Sequence, residues 1–333
     1  MQSIITNGGG LDNLKIETRP DPTPSAHEIL VRWHATSLNF HDYLVAIGGI
    51  PVPPQRIPMS DGAGEVIAIG EDVYRWKVGD KVMSMFFSNW IEGEPTFRKT
   101  VGVSGETVDG YMTEMSCISE EAVTRMPADY SFAEAATLPC AALTAWRGLV
   151  PEGNLKAGET VLIEGTGGMS MFGLQFAKAA GARVIATTSS EEKAARLKSM
   201  GAEAVINYKT DARWGKTIFK LTDGGVDHVL DVGGGSTMKQ SLEAVRIGGS
   251  VIAIGILGNG RKGEVTWPKL FFKHIKLHGI AVGSRKMQEE MVAAIDANGI
   301  KPLVDRSFKF DELADAFRYQ ETGQHFGKIV VEW

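Results

Sequence analysis

The residues of this chain whose types and spacing bear most directly on chemistry are Gly165, Thr166, Gly167, Gly168, Met169 and Ser170. They follow a short apolar run, Val161-Leu-Ile163, and precede a stretch whose apolar residues recur at helical spacing through Ala180. The pattern reads as strand, tight turn, helix. Glycine lets the backbone turn sharply and approach a ligand closely. The first turn of a helix adds free N–H groups and the positive end of its dipole, which favour a phosphate. The stretch is therefore a candidate dinucleotide turn. Gly165 and Gly167 fill the first two places of G-x-G-x-x-G, but Ser170 holds the third. Taken alone, the stretch also fits a glycine-rich turn before a packed helix.

The surrounding elements match what such a turn needs. Strands are expected at 160–164, 182–187, 204–207, 226–231 and 250–255, and helices at 169–180, 190–200, 211–221 and 236–246. Alternation of this kind, with β-branched buried runs, implies a doubly wound parallel sheet with helices on both faces. Residues 1–120 have another texture. Short apolar runs at 28–33, 64–69 and 80–85 lie between turn formers, which reads as a compact, barrel-like sheet domain. A helix is expected over Asn39–Ile47, closed by Gly48-Gly49. Residues 88–110 have no period and read as a loop, either over a cleft or simply on the surface. After Gly258-Asn259-Gly260 the alternation fades. A strand at 275–282, helices at 284–298 and 311–321 (with Asp311 at the N-cap) and a closing strand from Gly327 complete the chain.

The length of 333 residues fits two domains. An apolar share of 43% and a charged share of 23% are ordinary for a globular protein. The net charge of −5 gives no support for a nucleic-acid or membrane partner. No apolar run approaches the ~20 residues of a membrane span, and the first ten residues show no signal-like core. A cytoplasmic location is expected. The two cysteines, Cys117 and Cys140, can build neither a disulfide framework nor a four-cysteine zinc lobe.

Several segments together resemble a medium-chain dehydrogenase/reductase over nearly the whole length. They are Ser37-Leu-Asn39-Phe-His41-Asp42, Asp61-Gly62-Ala-Gly64-Glu-Val with Gly79-Asp80-Lys-Val82, Leu138-Pro-Cys140-Ala-Ala-Leu-Thr144, the glycine turn with Gly181-Ala-Arg-Val, and His325-Phe-Gly327-Lys328-Ile-Val. The resemblance implies an α/β chain: a GroES-like, β-barrel-type catalytic domain over 1–122 and 270–333, and a Rossmann nucleotide-binding domain over 123–269. Zinc-dependent members supply a cysteine, a His-Glu pair and a later cysteine or histidine. Here the first place holds Asn39, the second Met59-Ser60-Asp61 with no histidine, and only Cys140 lies near the third, too few ligands for a catalytic zinc. No metal is expected, and a metal role for His41 beside Asp42 is the weaker alternative. The resemblance is to the zinc-free, quinone-oxidoreductase-like branch.

An NAD site usually ends its second strand with Asp or Glu. Here the strand runs into Ser189 and Ser190, and Lys193 follows. Ser190, Lys193 and Tyr208 match the places that hold the 2′-phosphate in NADPH-dependent quinone reductases, so NADPH (NADP+) is the expected cofactor. Against this, Ser189 with Glu192 can form a capping box, and Glu191 and Glu192 add negative charge. By the same resemblance Thr144, Gly255, Ile256, Leu257, Val282, Ser284 and Lys328 line the nicotinamide side.

The resemblance places Asn39, Asp42 and Tyr43 as catalytic candidates facing the nicotinamide. Asn39 would donate to a developing oxyanion. Tyr43 would donate a proton, although related reductases carry the tyrosine where this chain has Leu44, so water is the alternative. Structural readings stand beside these. Asn39 and Asp42 suit helix capping, Tyr43 and Cys140 suit a core, Thr144 a local cap, residues 255–257 and 282–284 plain strand ends, and Lys328 a solvated place. Without zinc, hydride transfer suits an already electrophilic small molecule, a quinone or an α,β-unsaturated carbonyl. The alternatives are reversible alcohol–aldehyde oxidoreduction and a nucleotide-binding structural protein of the crystallin kind. The strand Ser250–Ile256 is an exposed edge unless paired, and such an edge would suit a homodimer.

Overall fold

The computed structural model describes residues 1–258 and 262–333. Asn259 and Gly260, part of the expected break in the alternation, lie outside the described residues. Fifteen strands are described: β1 (Gln2–Thr6), β2 (Leu14–Thr18), β3 (Glu28–Ser37), β4 (Ala63–Ile69), β5 (Lys81–Ser84), β6 (Met115–Ser119), β7 (Val123–Arg125), β8 (Thr160–Glu164), β9 (Arg183–Thr188), β10 (Ala204–Asn207), β11 (Val226–Asp231), β12 (Val245–Ala253), β13 (Lys276–Gly279), β14 (Val304–Lys309) and β15 (Lys328–Glu332). The chain forms two compact units, Met1–Leu143 with Val282–Trp333, and Thr144–Ala281. Residues 123–143 thus belong with the first unit, where β7 pairs β5, and 270–281 belong with the second, where β13 pairs β12.

In the first unit the sheet order is β14-β15-β3-β4-β5-β7, with β6 on β3, and β1 pairs β2 separately. β3 buries Ile29, Val31, Trp33 and Ala35 on one face, the period-2 pattern of a half-buried strand. Two registers matter for the site. β15 returns antiparallel to β3 with Val330 opposite Ser37, which sets Lys328 beside the residues just after β3. β4 pairs β3 with Ala63 opposite Ala35, which brings Asp61 to the same end. A helix over Phe40–Ala46 starts there with Asn39 as its N-cap. The aperiodic stretch 88–110 contains one short helix, Phe97–Thr100.

The second unit is a six-stranded parallel sheet, β10-β9-β8-β11-β12-β13. The chain fills it outward from β8 in one direction, then from β11 in the other. The strand order therefore reverses between β8 and β11, the switch point where open α/β sheets bind ligands. Helices run over Gly168–Ala179, Glu191–Ser199, Trp214–Leu221 and Met238–Ala244. β12 starts at Val245 rather than 250, so the helix before it stops at Ala244. β13 covers the outer side of β12, and the free sheet edge is one strand further out than expected.

The helix near the C-terminus starts at Leu313 with Glu312, not Asp311, at its N-cap, because Phe310–Glu312 form a 3₁₀ turn ahead of it. No helix among the described residues is long and apolar enough to cross a membrane.

Candidate functional site

In the first unit, the helix start and the two registers converge on a buried polar network. Asp42 accepts from the backbone N–H of Asn39 through Oδ2 (3.0 Å), which is N-terminal capping, and from the N–H of Ser60 through Oδ1 (2.8 Å). Asn39 Nδ2 donates to Asp61 Oδ2 at 2.8 Å and also approaches Asp42 Oδ2 (3.2 Å) and Ser60 Oγ (3.4 Å). Its Oδ1 accepts from Lys328 Nζ at 2.6 Å. Lys328 also donates to the carbonyl of Leu38 at 2.7 Å and pairs with Asp61 Oδ2 at 3.5 Å. Ser37 Oγ donates to the same Asp61 oxygen at 2.6 Å, while Asp61 Oδ1 is buried without a hydrogen-bond partner. Burial raises the Asp61 carboxyl to about 6; Lys328 opposes the rise and Asp42 adds to it.

His41 extends the network outward. Its Nε2 lies 2.8 Å from Glu106 Oε2, and Nδ1 lies 3.5 Å from Asp42 Oδ1. Burial alone would lower its pKa, but Asp42 and Glu106 together lift it to about 9. Cys140 is close enough to feel Asp61, Lys328 and Asp42, and burial pushes its thiol well up.

The network gathers Asn39, Asp42 and Lys328 from the sequence candidates but leaves Tyr43 outside it. The Tyr43 hydroxyl donates to Glu321 Oε1 at 2.7 Å, and its ring packs toward Phe317. Both amide hydrogens of Asn39 have acceptors, so donation to an oxyanion requires Asn39 to release one. Lys328 is 3% exposed and its ammonium is engaged within the network, not solvated. Asp61, absent from the catalytic candidates, is the acid on which the network converges. Its place in the chain was visible, but its burial depends on pairing with Lys328, far away in sequence.

The donor set does not fit a catalytic zinc. Its places hold an amide, a hydroxyl, one carboxylate and one thiol, and the ammonium of Lys328 already sits on the amide oxygen and the carboxylate. Among the described residues no three His, Cys, Asp or Glu side chains cluster to hold a metal.

In the second unit, Gly165 takes φ +73°, a conformation that L side chains rarely adopt, and a Cβ on Gly165 or Gly167 would meet nothing within 4 Å. The helix from Gly168 has no side-chain cap, so its first N–H groups are left for a ligand. Turn and helix fit a dinucleotide phosphate. Thr166 is buried, and Gly168 and Met169 are half-buried in the same turn. Ser170 Oγ donates to the carbonyl of Glu164 at 2.6 Å, tying the helix back to β8. The close helix–strand approach belongs instead to Gly173, where a Cβ would lie 2.7 Å from Leu230 Cδ1.

β9 ends at Thr188 without an acid. Ser190, not Ser189, caps the next helix, its Oγ accepting from Lys193 N–H at 3.4 Å. Ser189, Ser190 and Lys193 are half-buried and Tyr208 is exposed just after β10. Glu191 accepts from Asn207 Nδ2 at 2.7 Å. Thr144 is buried; Gly255 is half-buried, and Ile256 and Leu257 are exposed after β12. In the first unit, Val282 takes φ +45°, and Ser284 caps the helix Arg285–Asn298 through Met287 N–H.

Models of two families match the chain: the alcohol dehydrogenase GroES-like domain over residues 25–128 and the zinc-binding dehydrogenase over 168–297. The chain belongs to the medium-chain dehydrogenase/reductase family, whose members use a nicotinamide cofactor, and is an oxidoreductase of that type. It is 41% identical to a zinc-type alcohol dehydrogenase-like protein of Schizosaccharomyces pombe, over 97% of this chain and 96% of that one. It is 30% identical to a 2-methylene-furan-3-one reductase of Solanum lycopersicum, over 98% and 77%. It also resembles the solved quinone oxidoreductase of Coxiella burnetii, with TM-score 0.81 and 28% identity over 100% and 99% of the two chains.

Proposed function

We propose that this protein is an NADPH-dependent, zinc-independent reductase of quinones or α,β-unsaturated carbonyl compounds. The observation that carries this reading is the Asn39–Asp61–Lys328 network at the places where zinc-dependent members bind metal. With an amide and a paired carboxylate there, no Lewis acid polarises an ordinary carbonyl, and the acceptor must already be electrophilic. Similarity to an enone reductase and a quinone oxidoreductase supports the same substrate class.

NADPH, when bound, would supply the hydride. The glycine turn Gly165–Gly168 and the first turn of its helix would hold the pyrophosphate, with Thr166, Met169 and Ser170 shaping the turn. Ser190, Lys193 and Tyr208 would hold the 2′-phosphate, with hydroxyls and a cation matching its charge. In the second unit, Thr144 and residues 255–257 would line the nicotinamide. Asp42 fixes Asn39 and the Ser60–Asp61 turn; Lys328 fixes the orientation of the Asn39 amide, which would release one of its present acceptors to donate to the reacting oxygen. The proton that completes the reduction comes from water, because the Tyr43 hydroxyl is committed to Glu321.

The names of some relatives favour a second reading, alcohol–aldehyde oxidoreduction. The β13 edge supports a homodimer in either case.

The test titrates purified protein with NADPH and NADH by nicotinamide fluorescence, then supplies a 1,4-quinone, an enone or a simple alcohol. Tighter NADPH binding and chelator-insensitive oxidation by quinone or enone are expected. Alcohol turnover abolished by chelator would overturn the reading.

A further inference from the structure

At the switch point of the second unit, two carboxyl groups face one hydroxyl. Glu164 is the last residue of β8 and Asp231 the last of β11, neighbouring strands that run in register. Ser241 Oγ, on the helix Met238–Ala244, lies 2.8 Å from Glu164 Oε1 and 2.7 Å from Asp231 Oδ2. A hydroxyl has one hydrogen to give. It can donate to one of these oxygens, and the other contact is a hydrogen bond only if that carboxyl carries a proton and donates back. Glu164 and Asp231 are 4% and 0% exposed, so both carboxyls lie away from bulk solvent.

The same carboxyls hold up three loops. Glu164 Oε2 accepts from Val232 and Gly233 N–H at 3.2 and 3.4 Å. Asp231 Oδ1 accepts from Gly234 N–H and Thr237 Oγ1 at 2.8 and 2.7 Å. Val232 and Gly233 in turn accept, through their carbonyls, from the N–H groups of Leu257 and Gly258. Glu164 itself leads directly into Gly165–Gly167, and its carbonyl holds Ser170. The glycine turn, residues 232–237 and residues 255–258 therefore hang from one pair of acids.

We propose that Glu164 and Asp231 share a single proton through Ser241, and that the protonated pair positions the dinucleotide-binding loops, so that its ionisation weakens dinucleotide binding. The inference rests on the reading of these loops as the dinucleotide site. Burial raises the Glu164 carboxyl to about 8, with Asp231 adding to the rise, and burial likewise raises Asp231. On the elements packed against the pair, Lys178 and Lys239 are exposed, Glu243 pairs with Lys269, and Asp227 and His228, at the far end of β11, pair with Arg246 and Glu159. Loss of the proton would place a second buried negative charge, with no cation opposite it among the described residues, behind the loops that would receive the cofactor phosphates.

Two measurements test this. Infrared spectroscopy of the ligand-free protein at pH 7 should show a protonated-carboxyl band that Glu164→Gln removes. Fluorescence titration should show the NADPH Kd rising at least fivefold from pH 7 to pH 9 in the wild type and less than twofold in Glu164→Gln. Absence of the band, or the same pH dependence in both proteins, overturns the proposal. If Glu164→Gln does not fold, Asp231→Asn takes its place with the same expectations. If neither NADPH nor NADH binds, the reading of the loops fails and the positioning role with it, while the infrared band still decides whether the pair shares a proton.

Discussion

The ammonium of Lys328 lies 2.6 Å from Oδ1 of Asn39, 289 residues away in sequence. The antiparallel return of β15 onto β3 makes that contact, and it places a cation beside the buried carboxylate of Asp61. Lys328→Met removes the cation and leaves the acid. Breaking a buried pair in this way costs about 3 kcal/mol at pH 7.5. The sign of the pH dependence follows from Asp61, whose carboxyl is already raised to about 6 by burial and rises further without Lys328. A raised carboxyl penalises the folded state above its folded pKa, and the penalty lifts as pH falls toward the ordinary value of about 4. Urea unfolding at pH 7.5 and 5.5 should therefore show a smaller deficit at the lower pH. Equal deficits would mean that the lysine matters for packing alone.

His41 gives an independent view of the same network. Burial opposes its charge, yet Asp42 and Glu106 hold the imidazole protonated with a pKa of about 9. A histidine raised in this way stabilises the fold fully below its unfolded value of about 6.5, and the contribution is lost as pH rises through 9. Glu106→Gln removes the 2.8 Å partner and should lower the midpoint by about one pH unit. NMR titration of the imidazole reads it directly. An unchanged midpoint would assign the shift to Asp42 alone.

Much of this arrangement was legible in the chain because it is local. The strand–turn–helix at 160–180 follows from an apolar run, glycines and helical spacing, and the parallel sheet follows from its repetition. The convergence of Asp61 and Lys328 was not legible: it depends on the registers of β15 and β4 against β3, which connect residues far apart in sequence. The G-x-G-x-x-G spacing puts the third glycine at position 170, but the close contact falls at Gly173, one helical turn later. Ser170 instead uses its hydroxyl to fasten the helix to β8. The free sheet edge lies one strand beyond Ser250–Ile256 for a similar reason. Only four residues of 275–282 form strand, yet they suffice to cover β12. Capping by Ser190 instead of Ser189 is a one-residue difference that spacing alone does not resolve.

Lys193 is the residue that would separate the two dinucleotides under the proposed reading. If it reaches the 2′-phosphate, Lys193→Gln weakens NADPH by about tenfold, equivalent to ~1.4 kcal/mol, and leaves NADH unchanged. Its half-buried place at the start of the helix after β9 fits that role. Fluorescence titration with both cofactors gives the answer. An equal loss for both would show that Lys193 supports the helix instead of reading the phosphate.

The contact between Gly173 and Leu230 fixes how closely the helix Gly168–Ala179 lies on the sheet. A Cβ at position 173 would stand 2.7 Å from Leu230 Cδ1, and Leu230 is fully buried. Gly173→Ala must shift the helix or Leu230, at a cost of about 1–3 kcal/mol. Leu230→Ala removes the obstacle but leaves a cavity, at a cost of about 2–5 kcal/mol. Because the two residues share one contact, the costs should not add. In the Leu230→Ala background, Gly173→Ala should cost less than half as much as it does in the wild type. Urea unfolding of the two single variants and the double variant closes the cycle. Additive costs would place the constraint on the helix elsewhere, and would remove Gly173 from any part in setting the glycine turn at its N-terminus.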